Sequence, residues 1–480
     1  MNRYPLAIFV YLATFGFQPC AGQVADRIEG GNEPDAKPVA AIPDRPRLVE
    51  LTVSPTKEPI PAFRYSFLPN PIRRESGNAA QDYLQAFAAL QDVPEANRNR
   101  LNEYLGASSE RIIRDISDSD FGDFSVIRSI LFSAIHKTHC DWESELTPDA
   151  VFPIFPLREV NRCRELERYL VMRARFEVSR QNYDEAVEVL RLGYSLSRDL
   201  SKAKSIVASL VSVACCAMLN EATTDFIKAP DSPSLYWAIA EMPRPFINAR
   251  PALMAEVEAP FYFYPFLLDA EEVMRSGDEW KRVFEQASAN IKEVDSELGN
   301  LEKMLTRVEN GFGRARKKLI EQGYEAAKLD SMAPEQVVAI YQARVTRHAI
   351  DEFKKVCVAP FHQLSNTRLQ QNAGQLEVEL NEASILPVIF MGMGSVQAVR
   401  TAETRAWGEL NGLQTLEAIR LYSLQKNEPP PSLDDCMVPI PLNPHNQKAF
   451  TYRRFKDKGV LTIPTEPAAA GIRYVIKIRK

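Results

Sequence analysis

Histidine is scarce in this chain, with five in 480 residues, and tryptophan (four), cysteine (seven) and glycine (20) are sparse as well. Five dispersed histidines leave few ways to assemble a metal site or a nucleophile with its base, and no pair has the spacing of the zinc-hydrolase helix. Gly392-Met393-Gly394-Ser395 lacks the residue order of a nucleophile elbow. Gly311-Phe312-Gly313-Arg314, followed by Lys317 and Lys318, superficially matches a phosphate loop, but it falls inside a helix-periodic segment instead of following a strand. No charge sign dominates: 58 Lys and Arg face 63 Asp and Glu, interspersed, for a net charge of -5. That balance supplies no broad positive field for a phosphate backbone and excludes nucleic acid as a partner. Beyond the N-terminus the one long apolar run is 385–399, about 15 residues against the ~20 a bilayer-spanning helix needs. It reads as a buried core helix, so no transmembrane segment is expected in the mature chain.

What is present points to a globular chain of several packing units, at 45% apolar and 25% charged residues. Residues 1–22 have the form of a signal peptide: Arg3, an apolar stretch from Leu6 to Phe17, then Cys20-Ala21-Gly22 before Gln23. Export to the periplasm or cell envelope is the expectation. It places Cys140, Cys163, Cys215, Cys216, Cys357 and Cys436 where disulfides are permitted. Cys140 with Cys163 is the candidate pair, since the two flank a proline-interrupted loop, whereas Cys215 and Cys216 sit in an apolar helix as buried thiols. Residues 23–75 carry nine prolines and read as extended. Within them Phe63, Tyr65 and Phe67 alternate with Arg64 and Ser66, as in a short strand or docked ribbon.

Helical periodicity begins near Gly77, with Asn78 as cap, and a helical domain is expected over 76–268. Within it, 158–200 has the pattern of a tetratricopeptide hairpin, turning at Gln181-Asn182-Tyr183 and followed by Ala186, Leu190 and Gly193. A long helical hairpin is expected over 269–384. Phe284, Ile291, Leu298, Leu305, Phe312 and Leu319 recur at seven-residue intervals, with Ala287, Val294, Leu301, Val308 and Ala315 three behind. This predicts one helix over 279–321, paired antiparallel as a coiled coil with a second from Pro334. Asp295, Glu302 and Glu309 would face Arg344, Arg347, Lys354 and Lys355. After Pro360 helix continues to about 382, core helices fill 385–428, and 429–480 is β-rich. The fold class is therefore mainly α: helical hairpins, a long antiparallel coiled-coil hairpin and a small C-terminal antiparallel β-sheet.

Gly77-Asn78-Ala79-Ala80, Cys140-Asp141-Trp142, Tyr183-Asp184-Glu185-Ala186, Gln322-Gly323-Tyr324 and Leu416-Glu417-Ala418-Ile419-Arg420-Leu421-Tyr422 together resemble a family of uncharacterised exported bacterial helical proteins. The end of the chain, with Pro431-Ser432-Leu433-Asp434-Asp435, Pro441-Leu442-Asn443-Pro444 and Phe450-Thr451-Tyr452-Arg453, is similar to a pseudopilin-like tail. The resemblance implies a fold and a compartment and brings no activity.

His136, His139, Asp141 and Glu143 form the densest group of metal-ligand residue types, and would serve a metal-dependent envelope hydrolase if they converged. Packing and the Cys140 disulfide account for the same residues without a metal. His348, His362 and His445 stand alone. Phe261 to Tyr264, with Trp237 and Trp280, would line a groove or fill a core. The reading that follows is an exported scaffold that binds protein or cell-envelope components, with no catalytic, cofactor or metal residue assigned. A hydrolase and a pseudopilin-related assembly component are the alternatives.

Overall fold

The computed structural model describes residues 46–146, 156–292, 299–364, 384–386, 393–465 and 471–479. Its strands are β1 (Arg47–Val53), β2 (Glu75–Asn78), β3 (Lys137–His139), β4 (Thr451–Phe455), β5 (Lys458–Ile463) and β6 (Ile472–Ile478). Nine longer helices carry the body: α1 (Ala79–Gln91), α2 (Phe124–His136), α3 (Leu157–Ser179), α4 (Tyr183–Leu200), α5 (Ile206–Lys228), α6 (Gly277–Lys292), α7 (Leu301–Glu321), α8 (Pro334–Val358) and α9 (Met393–Lys426). The protein is mainly helical with a four-stranded sheet in the order β1-β6-β5-β4.

The C-terminal strands pair antiparallel, as expected, but the sheet is mixed. β1 from the proline-rich segment adds to β6 in parallel, from Arg47 opposite Ile472 to Val53 opposite Ile478. Val49, Leu51 and Val53 turn inward along β1, and the last two are buried. Parallel pairing requires a long crossover, and here nearly the whole chain supplies it.

Two large cores and a smaller junction between them hold the molecule together. The first gathers α1 to α5, the inner face of the sheet and the C-terminal half of α9. α3 and α4 form a hairpin that turns through Gln181 in the left-handed region, and Ser197 on α4 reaches Glu167 on α3 at 3.2 Å. By length and composition α5 is apolar enough to cross a membrane. In this fold it packs against α3, α4 and α9.

The second core joins α6, α7 and α8 to Phe263, Tyr264 and Phe266, which assigns Phe261, Phe263, Tyr264 and Trp280 of the aromatic group to packing, while Trp237 lies half-buried beside Tyr236 in a separate small cluster. The single helix predicted over 279–321 is two helices. Ser288 Oγ donates to Gly299 O at 2.7 Å, and a Cβ on Gly299 would lie 2.5 Å from Lys292 N. In a continuous helix positions 288 and 299 would be about 16 Å apart at ~1.5 Å rise. Apolar heptad positions therefore fall on two separate helices, both of which contact α8. Phe284 and Ile291 are buried with Phe266 and Trp280, whereas Val308, Ala315 and Leu319 are buried on the helix that packs against α8. Leu305 and Phe312 are half-buried; Val294, Asp295, Leu298 and the helix expected over 365–382 lie outside the described residues. Gly311 is where Ile385 enters, since a Cβ there would meet its Cγ2 at 2.6 Å. The expected charge pairing is replaced: Arg344 and Arg347 both bond Glu271, at 2.8 and 3.0 Å, while Lys354 pairs with Glu258 and Lys355 with Glu352.

The junction places Ile206, Leu253, Val257, Phe353 and Val396 in contact. α9 runs from there to the sheet, and near its end Arg420 and Glu417 are both 0% exposed and paired at 2.8 Å. Removing one member of such a pair strands a buried charge, at a cost of about 3–5 kcal/mol, whereas replacing both with apolar groups costs far less. Arg420→Met should lower unfolding free energy by that amount in urea titration, and Arg420→Met/Glu417→Leu should recover most of it. Equal losses in the two variants would contradict this role.

Candidate functional site

Asn78 is the residue that brings two distant sequence segments together. Its Oδ1 accepts from Ala80 N at 3.2 Å and so caps α1, and it also accepts from Asp141 N at 2.8 Å, while its Nδ2 donates to Asp141 O at 2.8 Å. The short helix Trp142–Leu146 is thereby fixed against α1. Trp142, fully buried, stacks on Tyr83 with ring centroids 5.5 Å apart and donates from Nε1 to Asp199 O at 2.9 Å. Tyr83 donates its hydroxyl to Asp199 Oδ2 at 2.8 Å. These bonds tie the C-terminal turn of α4 to the β2–β3 pair.

A cleft of about 250 Å³ opens at this meeting point, lined by Arg74, Ile135, Lys137, Thr138, His139, Arg198, Asp199 and Lys202. Gly77, at φ +145°, lies where a Cβ would come 3.2 Å from Lys137 Cδ; only glycine takes that backbone region without strain. The Lys137 stem passes beside it to place Nζ 3.3 Å from Glu75. Arg198 extends from the last turn of α4, where a cation also offsets the helix dipole, and Lys202 follows just past the helix end. Asp199, the one carboxylate in the lining, is held by Tyr83 and by Lys202 Nζ at 2.6 Å. Arg198 Nε is buried without a hydrogen-bond partner and lies 3.9 Å from Asp199 Oδ1. Burial, with Asp199 nearby, pushes the Tyr83 hydroxyl and the Cys140 thiol well above their usual ranges. Both therefore stay protonated and leave the field to the cations. A second cavity, beside Glu409 and Arg47, has room for roughly one water at about 20 Å³.

Comparison with family models, curated proteins and solved structures finds no match. The geometry of the chain carries its functional reading.

The four residues of the expected metal group go separate ways. His136 ends α2 buried, its Nδ1 at 2.7 Å from Phe132 O and its ring against Phe132. His139 is exposed on β3 in the cleft wall. Asp141 Oδ1 caps the short helix through Ser144 N at 3.2 Å, and Glu143 accepts from Lys204 N at 2.6 Å. Among the described residues no three His, Cys, Asp or Glu side chains are grouped to hold a metal ion. Nor is the Cys140–Cys163 disulfide formed. Both are free thiols: Cys163 is sealed in the helical core, and Cys140 lies half-buried near Tyr83 and Asp199. Composition and spacing did not reveal the cleft, because its cations come from three separate segments; a surplus of Arg and Lys around 73–74 and 198–204 was the available signal.

Two buried titratable groups lie in packed surroundings away from the cleft. Burial drives Glu167 well above the carboxylate range, eased by the Ser197 hydroxyl. His445 has neither ring nitrogen bonded, meets the edge of Phe361 at 5.3 Å, and is pushed down to about 4 by burial and Arg405. The imidazole would charge below about pH 6.5 in the unfolded chain but only near pH 4 in the fold. Its contribution is therefore full above pH 6.5 and falls away as the pH drops toward 4. His445→Gln should flatten the decline of Tm between pH 7 and 4.5; a parallel decline in parent and variant would contradict the assignment.

Proposed function

We propose that the protein is a non-catalytic helical scaffold of the cell envelope that holds acidic partners in the β2–β3/α4 cleft. The observation that carries this is the convergence of Arg74, Lys137, Arg198 and Lys202 on one cleft whose one lining carboxylate is bonded inward, with Glu75 and Asp82 beside Lys137, in a chain of net charge -5. Such a concentration of one sign within low-dielectric walls raises the local concentration of opposite charge. The envelope assignment rests on residues 1–22. A tetratricopeptide-like character for α3 and α4 is supported by Gly193, whose missing Cβ lets Glu167 and Leu219 approach. A coiled-coil character for α7 and α8 is supported by Met304, Val308, Gly311, Ala315 and Leu319, buried at three- and four-residue spacings. In this reading those hairpins give the scaffold its reach and the cleft gives it its grip.

The hydrolase alternative has His136 in packing, Asp141 and Glu143 bonded to backbone amides and His139 apart from them in the cleft wall, and the pseudopilin alternative draws on the tail alone. Fluorescence anisotropy with labelled poly-L-glutamate tests the proposal. Binding should weaken as salt rises, and Arg74→Gln/Lys137→Gln should weaken it at least about tenfold, or ~1.4 kcal/mol. Absent binding, or binding untouched by the two substitutions, would overturn it.

A further inference from the structure

The cleft has a more specific chemistry than general attraction for acids. We propose that it is a site for a phosphate group, gripped chiefly by the Arg198 guanidinium, an inference that rests on the anion-binding reading above. Its lining is rich in donors: two guanidinium forks, two ammonium groups and the Thr138 hydroxyl, with His139 at the edge. The only lining carboxylate already accepts from Tyr83 at 2.8 Å and from Lys202 at 2.6 Å, which holds it in place and limits its repulsion. Lys137 is paired with Glu75 at 3.3 Å and lies 4.0 Å from Asp82, and Lys202 is paired with Asp199, which leaves the Arg74 and Arg198 guanidinium groups for a ligand. A lone carboxylate ligand would answer one of them, whereas a phosphate monoester carries nearly two negative charges and three acceptor oxygens at neutral pH.

Size points the same way. At about 250 Å³ the cleft is smaller than the pockets that enclose drug-sized molecules. It suits one compact charged group with the remainder of the ligand outside. Arg198 is the better-placed of the two forks, since it lines the cleft beside a floor pinned by Trp142 and Tyr83 through Asp199. Bidentate recognition of phosphate depends on that planar fork, and a lysine replaces it only as a point charge.

The lip of the cleft bears on the ligand's source. Asn70 caps a short turn, Pro71–Arg73, which projects Ile72 at 90% exposure directly before Arg73 and Arg74. An exposed aliphatic side chain beside cations suits a phosphate carried at a lipid surface as well as one free in solution.

The experiment uses the full chain at pH 7.5 and constant ionic strength. Calorimetry with inorganic phosphate and with acetate is run beside flotation on phosphatidic acid and phosphatidylcholine vesicles and the poly-L-glutamate assay. Phosphate should bind at least tenfold more tightly than acetate, or the protein should float with phosphatidic acid and not phosphatidylcholine; the second without the first identifies the lipid as the source. Arg198→Lys, with its Tm checked against the parent, should lower whichever phosphate binding is seen about tenfold while poly-L-glutamate binding changes little. Equal binding of phosphate and acetate without vesicle selectivity, or an unchanged affinity in Arg198→Lys, overturns the phosphate assignment. If poly-L-glutamate still binds in that event, the anion-binding scaffold stands; if nothing anionic binds, both readings fall.

Discussion

The Arg420 guanidinium is wholly buried and bonds four partners: Glu417 Oε1 at 2.8 Å, Ser54 O at 3.1 Å, and Ser232 O and Oγ at 2.7 and 2.9 Å. Glu417 in turn accepts from Ser234 Oγ at 3.0 Å. A buried ion costs several kcal/mol in lost hydration, so this arrangement is tolerable only when every donor and acceptor is met. The partners come from the segment after β1, from the loop after α5 and from α9 itself. Ser54 extends the linkage, since its hydroxyl also receives Arg479 Nη1 at 3.3 Å and Asp231 N at 3.4 Å. One buried charge pair thus fixes the stretch that follows β1, at the end of its register on β6.

The cleft inherits its rigidity from that core. α4 is packed between α3 and α5, and its last turn holds Asp199 under Tyr83 and Trp142. Asn78 locks the opposite wall by capping α1 while bonding Asp141. Cations on such walls lose little freedom when they meet a ligand, which is the condition for selective binding of a small anion. The second core and its hairpin contribute no residue to the cleft.

Much of the helical body was legible from periodicity: the Asn78 cap, the turn at Gln181, the helix from Pro334 and the β-rich tail all follow from local rules. Two kinds of feature were not. Heptad spacing reports that one face is buried but not whether one helix carries it, so Phe284 and Leu319 looked like one seam although they lie on separate helices. Long-range pairings were equally hidden. Prolines around β1 masked its Val49, Leu51, Val53 alternation, and nothing near Arg420 in the sequence announces Ser54 or Ser232 as its partners. The cleft belongs to the same class, since Arg74, Lys137 and Arg198 are ordinary surface types until the fold assembles them. His139 was noticed for metal chemistry and takes its place instead among cations.

Native-state hydrogen exchange of the β1 amides, residues 47–53, against those of the C-terminal half of α9 tests the buried clamp most directly. If Arg420 joins the two ends, both sets should open with the same free energy, close to that of global unfolding. Rapid exchange of β1 while α9 remains protected would contradict the account.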